Sequence, residues 1–322
     1  MNKSVIDAGG TRTLVRVVPT SGEPRQWELP SINPSAGGRP ARDALGKVFG
    51  GLRDSIDDGP TVGWLASASL DPSTAQDERS RINQAFREAG LRFPLVISND
   101  VVPLLWGVSA LAGRGVVVVC GTGSGVLGGD GSGRILRAGG CEYLGSDEGS
   151  AFDLGFSGLR AAVRALDGRG AATGLVDAFA EWAGCPAPAL ARALAIEPYP
   201  KQRVASLAAV VCRTWLAGDV VAADIVRSAI VDLSAGVRAV RDRLSLPGGF
   251  AVAASGGVLH GCPPFFRELA EHLSVELQAG SVVMVQDPLE ATLEALTRLL
   301  GPDGRPLLPT DLQGHHAWVI DG

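Results

Sequence analysis

Cysteine is scarce and scattered in this chain. No CxxC pair occurs, and the five cysteines stand singly at Cys120, Cys141, Cys185, Cys212 and Cys262. This spacing argues against a zinc or iron–sulfur site and against a disulfide framework. We therefore expect a cytoplasmic protein that works in a reducing compartment.

An excess of charge of one sign is also missing. The 29 basic residues are interspersed with 34 acidic residues, for a formal net charge of −5. Binding a nucleic acid backbone requires a basic stripe, which the sequence lacks, so no nucleic acid partner is expected. Almost all the basic residues are arginine, since the only lysines are Lys3, Lys47 and Lys201.

Long apolar runs and two common nucleotide motifs are absent as well. Apolar stretches such as Val116–Cys120 are too short to span a bilayer, and the N-terminus lacks the form of a signal peptide. We therefore expect no membrane partner. Neither a P-loop, GxxxxGK[ST], nor a GxGxxG in a βαβ unit occurs.

The chain contains enough apolar residues for two α/β domains. It has 322 residues, 46% of them hydrophobic, and short β-branched runs alternate with long helical patterns. A strand, a Gly/Thr turn and a hairpin open the chain, and "VVVVCGTGSGVLGG" repeats this arrangement at the start of the second half. We predict two related domains, residues 1–113 and 114–322, with the helix near 289–300 able to pack on the first.

The end of the chain is predicted to be irregular. Residues 301–322 contain three prolines and two neighbouring histidines, His315 and His316. Because no third ligand is nearby in the sequence, this pair is interpreted as part of a surface tail rather than a metal site.

The first stretch that indicates chemistry is "VIDAGGTRTLVRV", residues 5–17. Glycines between two strands let backbone amides approach an oxyanion without a Cβ in the way, and threonine hydroxyls add donors. Gly9, Gly10, Thr11 and Thr13 would form such a phosphate nest, and Asp7 is placed to hold Mg²⁺ beside it. A tight hairpin rich in turn residues is the alternative.

Two later stretches add to this interpretation. "CGTGSG" again places glycines around a threonine between two β runs, and two such nests would clamp a polyphosphate. "AVAASGGVLHG" runs from a strand into a helix, so Gly256 and Gly257 can lie flat against a nucleobase or sugar. A plain strand-to-helix turn is the alternative for the second of them.

The motifs "DAGGTRT", "CGTGS", "GSDEGSAFDLG" and "ASGGVLHG", in this order, resemble those of the sugar kinase/Hsp70/actin superfamily. Within it, the chain is similar to the N-acetylglucosamine kinase branch of the BadF/BadG/BcrA/BcrD ATPase family, from Val5 to about Leu300. The resemblance implies an α/β fold with two ribonuclease-H-like (actin-like ATPase) domains flanking an ATP cleft. It also implies transfer of the γ-phosphoryl group of ATP, with Mg²⁺, to a sugar hydroxyl, with a primary alcohol as the family expectation.

The resemblance assigns roles to individual residues. The β- and γ-phosphates would meet the nest around Gly9, with Asp7 on the metal. The opposing clamp and the adenosine site would use the residues of the later motifs: Gly121, Thr122, Gly123, Gly256, Gly257 and His260, with the helix at 205–211 behind the base.

Asp100 is the candidate catalytic base. In "LVISNDVVPLLWG" it leaves an apolar strand, where a carboxylate can accept the proton of the attacking hydroxyl, a role worth about 10² to 10⁴ in rate. Capping of the following helix is the alternative, and the two roles can coexist.

The acceptor site departs from the family pattern. The resemblance implies contacts from Asn33 and Asp147, together with Asp100. Where the branch usually reads GGWG, this chain has "GGCE", so Gly140, Cys141 and Glu142 lie where a tryptophan wall is expected. An added carboxylate needs a hydroxyl or ammonium partner. In addition, Gly125 stands where the branch commonly has asparagine.

These departures leave several acceptors and functions open. The donor motifs are intact, so we infer an N-acetylglucosamine/glucosamine kinase-like enzyme with an altered acceptor site. The candidate acceptors are an unacetylated aminosugar such as glucosamine, a neutral hexose, and an aminocyclitol or C7-cyclitol of secondary metabolism, and clear preference for N-acetylglucosamine would contradict this inference. An activator ATPase or a nucleotide-binding regulator is the alternative outside the sugar kinases. Family members are often dimers, so a homodimer is a further option.

Overall fold

A computed structural model describes residues 1–33, 39–70, 75–310, 312 and 316–321. Its strands are β1 (Asn2–Ala8), β2 (Arg12–Val18), β3 (Arg25–Pro30), β4 (Thr61–Ser67), β5 (Pro94–Ser98), β6 (Arg114–Cys120), β7 (Ser124–Asp130), β8 (Ile135–Gly139), β9 (Ala251–Ser255), β10 (Ser281–Met284) and β11 (Ala317–Asp321). Its helices are α1 (Arg39–Arg53), α2 (Ala75–Glu88), α3 (Val102–Gly107), α4 (Glu142–Gly145), α5 (Ala151–Leu166), α6 (Leu175–Ala183), α7 (Ala187–Ala195), α8 (Lys201–Ser206), α9 (Ala208–Leu216), α10 (Val220–Leu244), α11 (Gly257–Gly261), α12 (Pro263–Leu277) and α13 (Pro288–Arg298).

The first sheet has six strands in the order β11-β5-β4-β1-β2-β3. β1 and β2 form an antiparallel hairpin whose last pair is Ala8 with Thr13, and β1, β4 and β5 run parallel. The carboxyl ends of parallel strands meet at one edge of a sheet. Asp7 near the end of β1 and Asp100, two residues after β5, therefore lie at the same edge of the sheet, with β4 between their two strands.

The two faces of this sheet are covered by different helices. Side chains alternate along a strand, so Ile6 and Ala8 face one way and Lys3 and Asp7 the other. The first face packs on α1 and α2 in a core that includes the edge-to-face rings Phe49, Phe86 and Phe93. On the second face, α13 packs against β1 and α3.

The second sheet has the order β10-β9-β6-β7-β8, with β9 and β10 parallel. A separate apolar core is formed by the helices α5 to α9 and the start of α10. Large buried side chains from four of these helices meet there: Leu159, Phe179, Leu190 and Val211. Helix α10, the longest, begins at Asp219, whose carboxylate accepts the amide of Ala222 at 2.8 Å.

The described chain divides into two compact units. The first consists of residues 1–116, 127–136 and 285–322, and the second of residues 117–126 and 137–284. Helix α13 and the end of the chain thus belong with the N-terminal residues by contact, although they follow the second unit in sequence.

The prediction of an irregular tail at 301–322 that could pack back on the body is wrong only in that its last residues form a strand, because the described residues before β11 contain turns and no helix or strand element. Residues 317–321 form β11, which pairs antiparallel with β5 and places Trp318 in the core of the first sheet. A five-residue strand after a proline-rich stretch has little local signal, because its pairing depends on an edge provided by distant residues. His316 precedes β11, and His315 lies outside the described residues.

The described helices can be judged as potential membrane spans by their length and apolar composition. None of the helices is by itself long and apolar enough to cross a bilayer, while the pair 201–216 and 220–244, bent by 119°, meets the criterion on length and composition alone.

Candidate active site

The first glycine-rich turn joins β1 to β2 in the first unit. Gly9 and Gly10 are half-buried and Thr11 is exposed, so these three are accessible to a ligand. The hydroxyl of Ser31 donates to the carbonyl of Gly9 at 2.8 Å and thereby fixes the turn from the side. Thr13 is fully buried, and its hydroxyl oxygen accepts the amide of Ile32 at 3.3 Å, which connects the turn to the loop that carries Asn33.

Asp7 lies in an unfavourable environment for a carboxylate. Burial raises its pKa to about 7 from 3.8, and the charges of Asp100 and Asp287 raise it further, while Arg12 acts in the opposite direction. All four residues belong to the first unit. A repulsive group of carboxylates beside a phosphate-binding turn is the environment that a cation would stabilise.

Asp100 is half-buried at the end of β5, in the turn before α3. The N-cap of α3 is Val101, whose own side chain makes no capping hydrogen bond. The side chain of Asn99 accepts the amide of Val101 at 3.2 Å and donates to the carbonyl of Leu70 at 2.9 Å, which fixes the turn that carries Asp100.

Asp287 is a member of this carboxylate group that the sequence analysis missed. It caps α13 by accepting the amide of Glu290 at 3.1 Å, and it forms a 2.6 Å ion pair with Arg16 of β2. Its own burial acts to raise its pKa, but the hydrogen bond from Arg16 and the helix amides outweigh burial and lower that pKa. The Asp-Pro start of a helix, "DPLEA", was the available local signal.

The second glycine-rich turn is supported by the start of α5 in the second unit. The amide of Gly121 donates to the carbonyl of Gly123 at 2.9 Å and closes a tight turn. The first amides of α5, those of Ala151 and Phe152, donate to the carbonyls of Gly121 and Thr122 at 2.9 and 3.2 Å. Amides at a helix start have no partner within the helix, so the turn and the helix satisfy each other.

The amides of Thr122 and Gly123 have no hydrogen-bond partner among the described residues. Two neighbouring amides without partners in a glycine turn are the donors that an anion nest requires. The turn is therefore built so that its carbonyls are used by α5 while two amides are left for a ligand.

The segment "GSAFD" sets where α5 begins. Ser150 is the N-cap and its hydroxyl accepts the amide of Asp153 at 3.2 Å, while the carboxylate of Asp153 accepts the amide of Gly149 at 2.9 Å. This pair of bonds resembles a capping box, except that Asp153 stands in place of the usual glutamate and binds the amide one residue before the N-cap. It holds the first turn of α5 against the second glycine-rich turn.

The third motif lies beside the second. Gly256 has φ of 125°, and a Cβ there would be 2.3 Å from the carbonyl oxygen of Cys120. Only glycine permits so close an approach of the two backbones. The strand-to-helix turn is thus packed against the phosphate turn, with His260 exposed on α11, which contacts α9.

Three charged side chains, those of Lys201, Glu142 and Asp147, form a cluster next to the second glycine-rich turn. The ammonium of Lys201 lies 2.6 Å from Glu142 Oε2 and 2.8 Å from Asp147 Oδ2. The other carboxylate oxygen of Asp147 accepts the amide of Ser124 at 3.0 Å, and a Cβ on Gly123 would be 2.6 Å from that same oxygen. The carboxylate therefore lies directly against the turn.

Lys201 was not identified from the sequence. Burial acts to lower its pKa, but hydrogen bonds to Asp147 and Glu142 outweigh burial and raise that pKa, so the cluster holds a protonated lysine. Both acids have left-handed backbone, with φ of 63° at Glu142 and 74° at Asp147. Such strain in non-glycine residues is found where a side chain has to be held in a defined place. The sequence signal that could have identified Lys201 is the rarity of lysine, because the chain has only three lysines.

The remaining predicted acceptor residues lie in both units. Asn33 is buried in the first unit, at 6% exposure. In the second, the carbonyl of Gly140 accepts Arg137 Nη2 at 2.6 Å and the amide of Cys141 donates to the hydroxyl of Ser146 at 2.7 Å. The structure thus groups the predicted residues as one set around Asp7 and another around Gly123, each within its own unit.

Magnesium remains a prediction for this site. Among the described residues, no three His, Cys, Asp or Glu side chains are arranged to hold a metal ion by themselves. Mg²⁺ commonly uses one or two carboxylates together with waters and substrate phosphates, so the environment of Asp7 fits such an ion only together with a nucleotide.

Comparisons with known proteins agree with the motifs. A model of the BadF/BadG/BcrA/BcrD ATPase family matches residues 6–288. An N-acetylmuramic acid/N-acetylglucosamine kinase of Clostridium acetobutylicum is 27% identical over 214 residues, which cover 66% of this chain and 69% of that relative.

Solved structures share the fold. A candidate N-acetylglucosamine kinase of Porphyromonas gingivalis has a TM-score of 0.68 at 18% identity, covering 92% of this chain and 98% of that one. Another from Chromobacterium violaceum has 0.66 at 23%, covering 91% and 98%. A Schistosoma mansoni hexokinase has 0.53 at 14%, covering 92% and 84%. The prediction of an actin-like ATPase fold is confirmed.

Proposed function

Because this chain belongs to the BadF/BadG/BcrA/BcrD ATPase family, we propose that it is a sugar kinase that transfers the γ-phosphoryl group of ATP to a hydroxyl, a primary one, of a sugar or sugar-like acceptor. The observation that carries this proposal is the second glycine-rich turn. Its carbonyls are bound by α5 while the amides of Thr122 and Gly123 are left without partners among the described residues. A turn so arranged is suited to phosphate oxygens.

On the donor side, each unit supplies one part of the proposed binding set. In the first unit, Gly9, Gly10 and Thr11 are accessible in a hairpin next to Asp7. In the second, the turn at 121–123 lies against Gly256, so phosphate and adenosine contacts adjoin each other. Mg²⁺ bound with the phosphates near Asp7 would neutralise their charge and that of the carboxylate.

On the acceptor side, Asp100 is the proposed general base. As the acceptor oxygen bonds to the γ-phosphorus, its proton passes to the Asp100 carboxylate and the bond to ADP breaks. Its location just after β5, at the carboxyl edge of the first sheet where Asp7 also lies, supports this role.

The Lys201 cluster favours an acceptor without a free amine. The sequence alone suggested that Glu142 needs a hydroxyl or ammonium from the substrate, but Lys201 supplies an ammonium at 2.6 Å. A second cation would have to compete with it. We therefore rank N-acetylglucosamine and neutral hexoses above glucosamine and aminocyclitols, which agrees with the substrates in the name of the Clostridium relative.

The test is an ADP-release assay with ATP and Mg²⁺ over a panel of acceptors: N-acetylglucosamine, N-acetylmuramic acid, glucose, glucosamine, a neutral cyclitol and an aminocyclitol. We expect turnover that depends on an acceptor without a free amine. Asp100→Asn should lower kcat by about 10² to 10⁴ while ATP affinity by calorimetry stays unchanged. Asp58→Asn, an exposed acid of the same unit, is the matched control.

Two results would contradict the proposal. Failure to bind ATP at saturating Mg²⁺ would remove the donor assignment. ATP hydrolysis that no acceptor increases would favour the alternative of a regulatory or activator ATPase, and preference for a free-amine acceptor would refute the ranking based on Lys201.

A further inference from the structure

A cavity of about 410 Å³ lies in the second unit, outside every residue assigned above to nucleotide or acceptor. Its apolar wall is formed by Phe152, Phe156 and Leu159 of α5 and Leu194 of α7. The rings of Phe152 and Phe156 are stacked, with centroids 5.8 Å apart and planes 13° apart. The volume is in the range of small-molecule sites, and the wall suits a flat or branched apolar group.

The charged groups that line this cavity are all positive. Three arginines, Arg160, Arg164 and Arg169, line it together with no acidic side chain. Arg169 is paired with Asp167 at 2.6 Å, whereas Arg160 and Arg164 form no ion pair with any described residue. The guanidinium of Arg160 lies 5.3 Å from the ring centroid of Phe156, which places a cation at the edge of the aromatic wall.

We propose that this cavity binds an amphiphilic organic anion, with its apolar body on the phenylalanine wall and its carboxylate or phosphate head on Arg160 and Arg164. An apolar ligand alone would leave the guanidiniums of Arg160 and Arg164 without an anionic partner, since the hydrogen bond that Arg164 Nη2 donates goes to the neutral carbonyl of Arg169, at 3.4 Å. An inorganic anion alone would leave the aromatic wall wet. Only a ligand with both parts matches the two halves of the lining.

Binding of a ligand in the cavity should make the second glycine-rich turn more rigid. Phe152 takes part in both, because its ring lines the cavity and its amide donates to the carbonyl of Thr122. Tyr143 and Pro200, also in the lining, are the chain neighbours of Glu142 and Lys201. A ligand that immobilises these walls stabilises the groups that hold the turn. Only the consequence for catalysis rests on the proposed kinase function.

Binding is tested without nucleotide, with 8-anilinonaphthalene-1-sulfonate as the fluorescent probe and competitors that share an eight-carbon chain. Octanoate and octyl phosphate should displace the probe, and the lower of their two displacement constants identifies whether a carboxylate or a phosphate head is preferred. Octyltrimethylammonium should not displace the probe. The double variant Arg160→Gln/Arg164→Gln should weaken octanoate binding roughly tenfold or more. Arg227→Gln, an exposed arginine on α10, should leave it unchanged.

Phe156→Ala is a second variant, at a side chain that is already 41% exposed, and it should also weaken binding. Hydrogen exchange at residues 121–124 should slow when octanoate binds. Unchanged affinity in the arginine and phenylalanine variants, or equal competition by the cationic amphiphile, would overturn the site. Concentration-dependent self-association that Phe156→Ala abolishes would assign the cavity to a second copy of the chain instead, and binding without slower exchange at 121–124 would refute the coupling.

Discussion

Replacing Asp7 by asparagine is expected to stabilise the ligand-free protein at neutral and alkaline pH. Burial and the neighbouring carboxylates Asp100 and Asp287 raise the pKa of Asp7 to about 7, against 3.8 for an ordinary aspartate. The native state therefore resists ionisation of this group. Asparagine keeps the shape of the side chain and carries no charge at any pH.

The direction of the pH dependence follows from the proton count of the two states. Below pH 3.8 the Asp7 carboxyl is protonated in both the native and the unfolded state, so it does not reduce the free energy of unfolding. Between 3.8 and 7 the unfolded chain loses the proton that the native protein keeps, so native stability falls as pH rises, and above 7 the loss is complete. One pH unit in this range is worth about 1.4 kcal/mol, so the full loss is up to about 4 kcal/mol.

The measurement is urea denaturation of the wild type and Asp7→Asn at pH 5 and pH 8, in EDTA and without nucleotide. The variant's advantage in the free energy of unfolding should be roughly 3 kcal/mol larger at pH 8 than at pH 5, because two pH units separate pH 5 from the native pKa. Asp58→Asn should show no such change. An advantage that is the same at both pH values, or a variant less stable at pH 8, would refute the reasoning.

Three other substitutions test the remaining parts of the structure. Trp318→Ala removes a core ring from β11 and should lower the free energy of unfolding, measured in urea, by about 3 to 5 kcal/mol. Leu307→Ala, at an exposed side chain, is the control and should change the free energy of unfolding little. Equal small losses in the two variants would show that β11 does not stabilise the core. Gly256→Ala places a Cβ 2.3 Å from the carbonyl oxygen of Cys120 and should weaken ATP binding, measured by calorimetry, by roughly tenfold or more. Gly261→Ala, whose Cβ would meet no atom within 4 Å, is the control and should leave ATP affinity unchanged. Unchanged affinity in Gly256→Ala would contradict the close packing of the two turns. Lys201→Met leaves the buried Asp147 without its cation, so it should lower the free energy of unfolding by about 3 to 5 kcal/mol and raise KM for ATP. Lys47→Met on α1 is the control. A stable Lys201→Met variant with normal KM would show that Lys201 does not position Asp147 against the turn.

Local features of the chain were predicted well because they depend on contiguous residues. The sequence pattern predicts helices at 151–166 and 220–244, and α5 and α10 have these bounds, since amphipathic periodicity and a cap residue lie next to each other in the sequence. The glycine-rich turns are also local, because a backbone that must approach another backbone or a phosphate excludes a Cβ wherever it occurs.

The sequence pattern also predicts a helix at 101–112, and this prediction is too long. α3 ends at Gly107, and the chain then turns through residues up to Gly113 before entering β6. The apolar pattern continues past the helix, so periodicity alone did not indicate its end. Helices α6 and α7 and strand β3 were not predicted, and α6 and α7 are short helices that pack mainly on their neighbours in the second core.

The sequence by itself determined the family, the α/β class and the glycine-rich turns, because each of these depends on short motifs whose backbone conformation is set by neighbouring residues. The tertiary structure alone decided which charges meet: Lys201 with Glu142 and Asp147, Arg16 with Asp287, and Asp287 with Asp7. It also decided that β11 completes the first sheet. An ion pair or a strand edge depends on elements far apart in the chain being packed together, and the spacing of residues in a sequence does not report that distance.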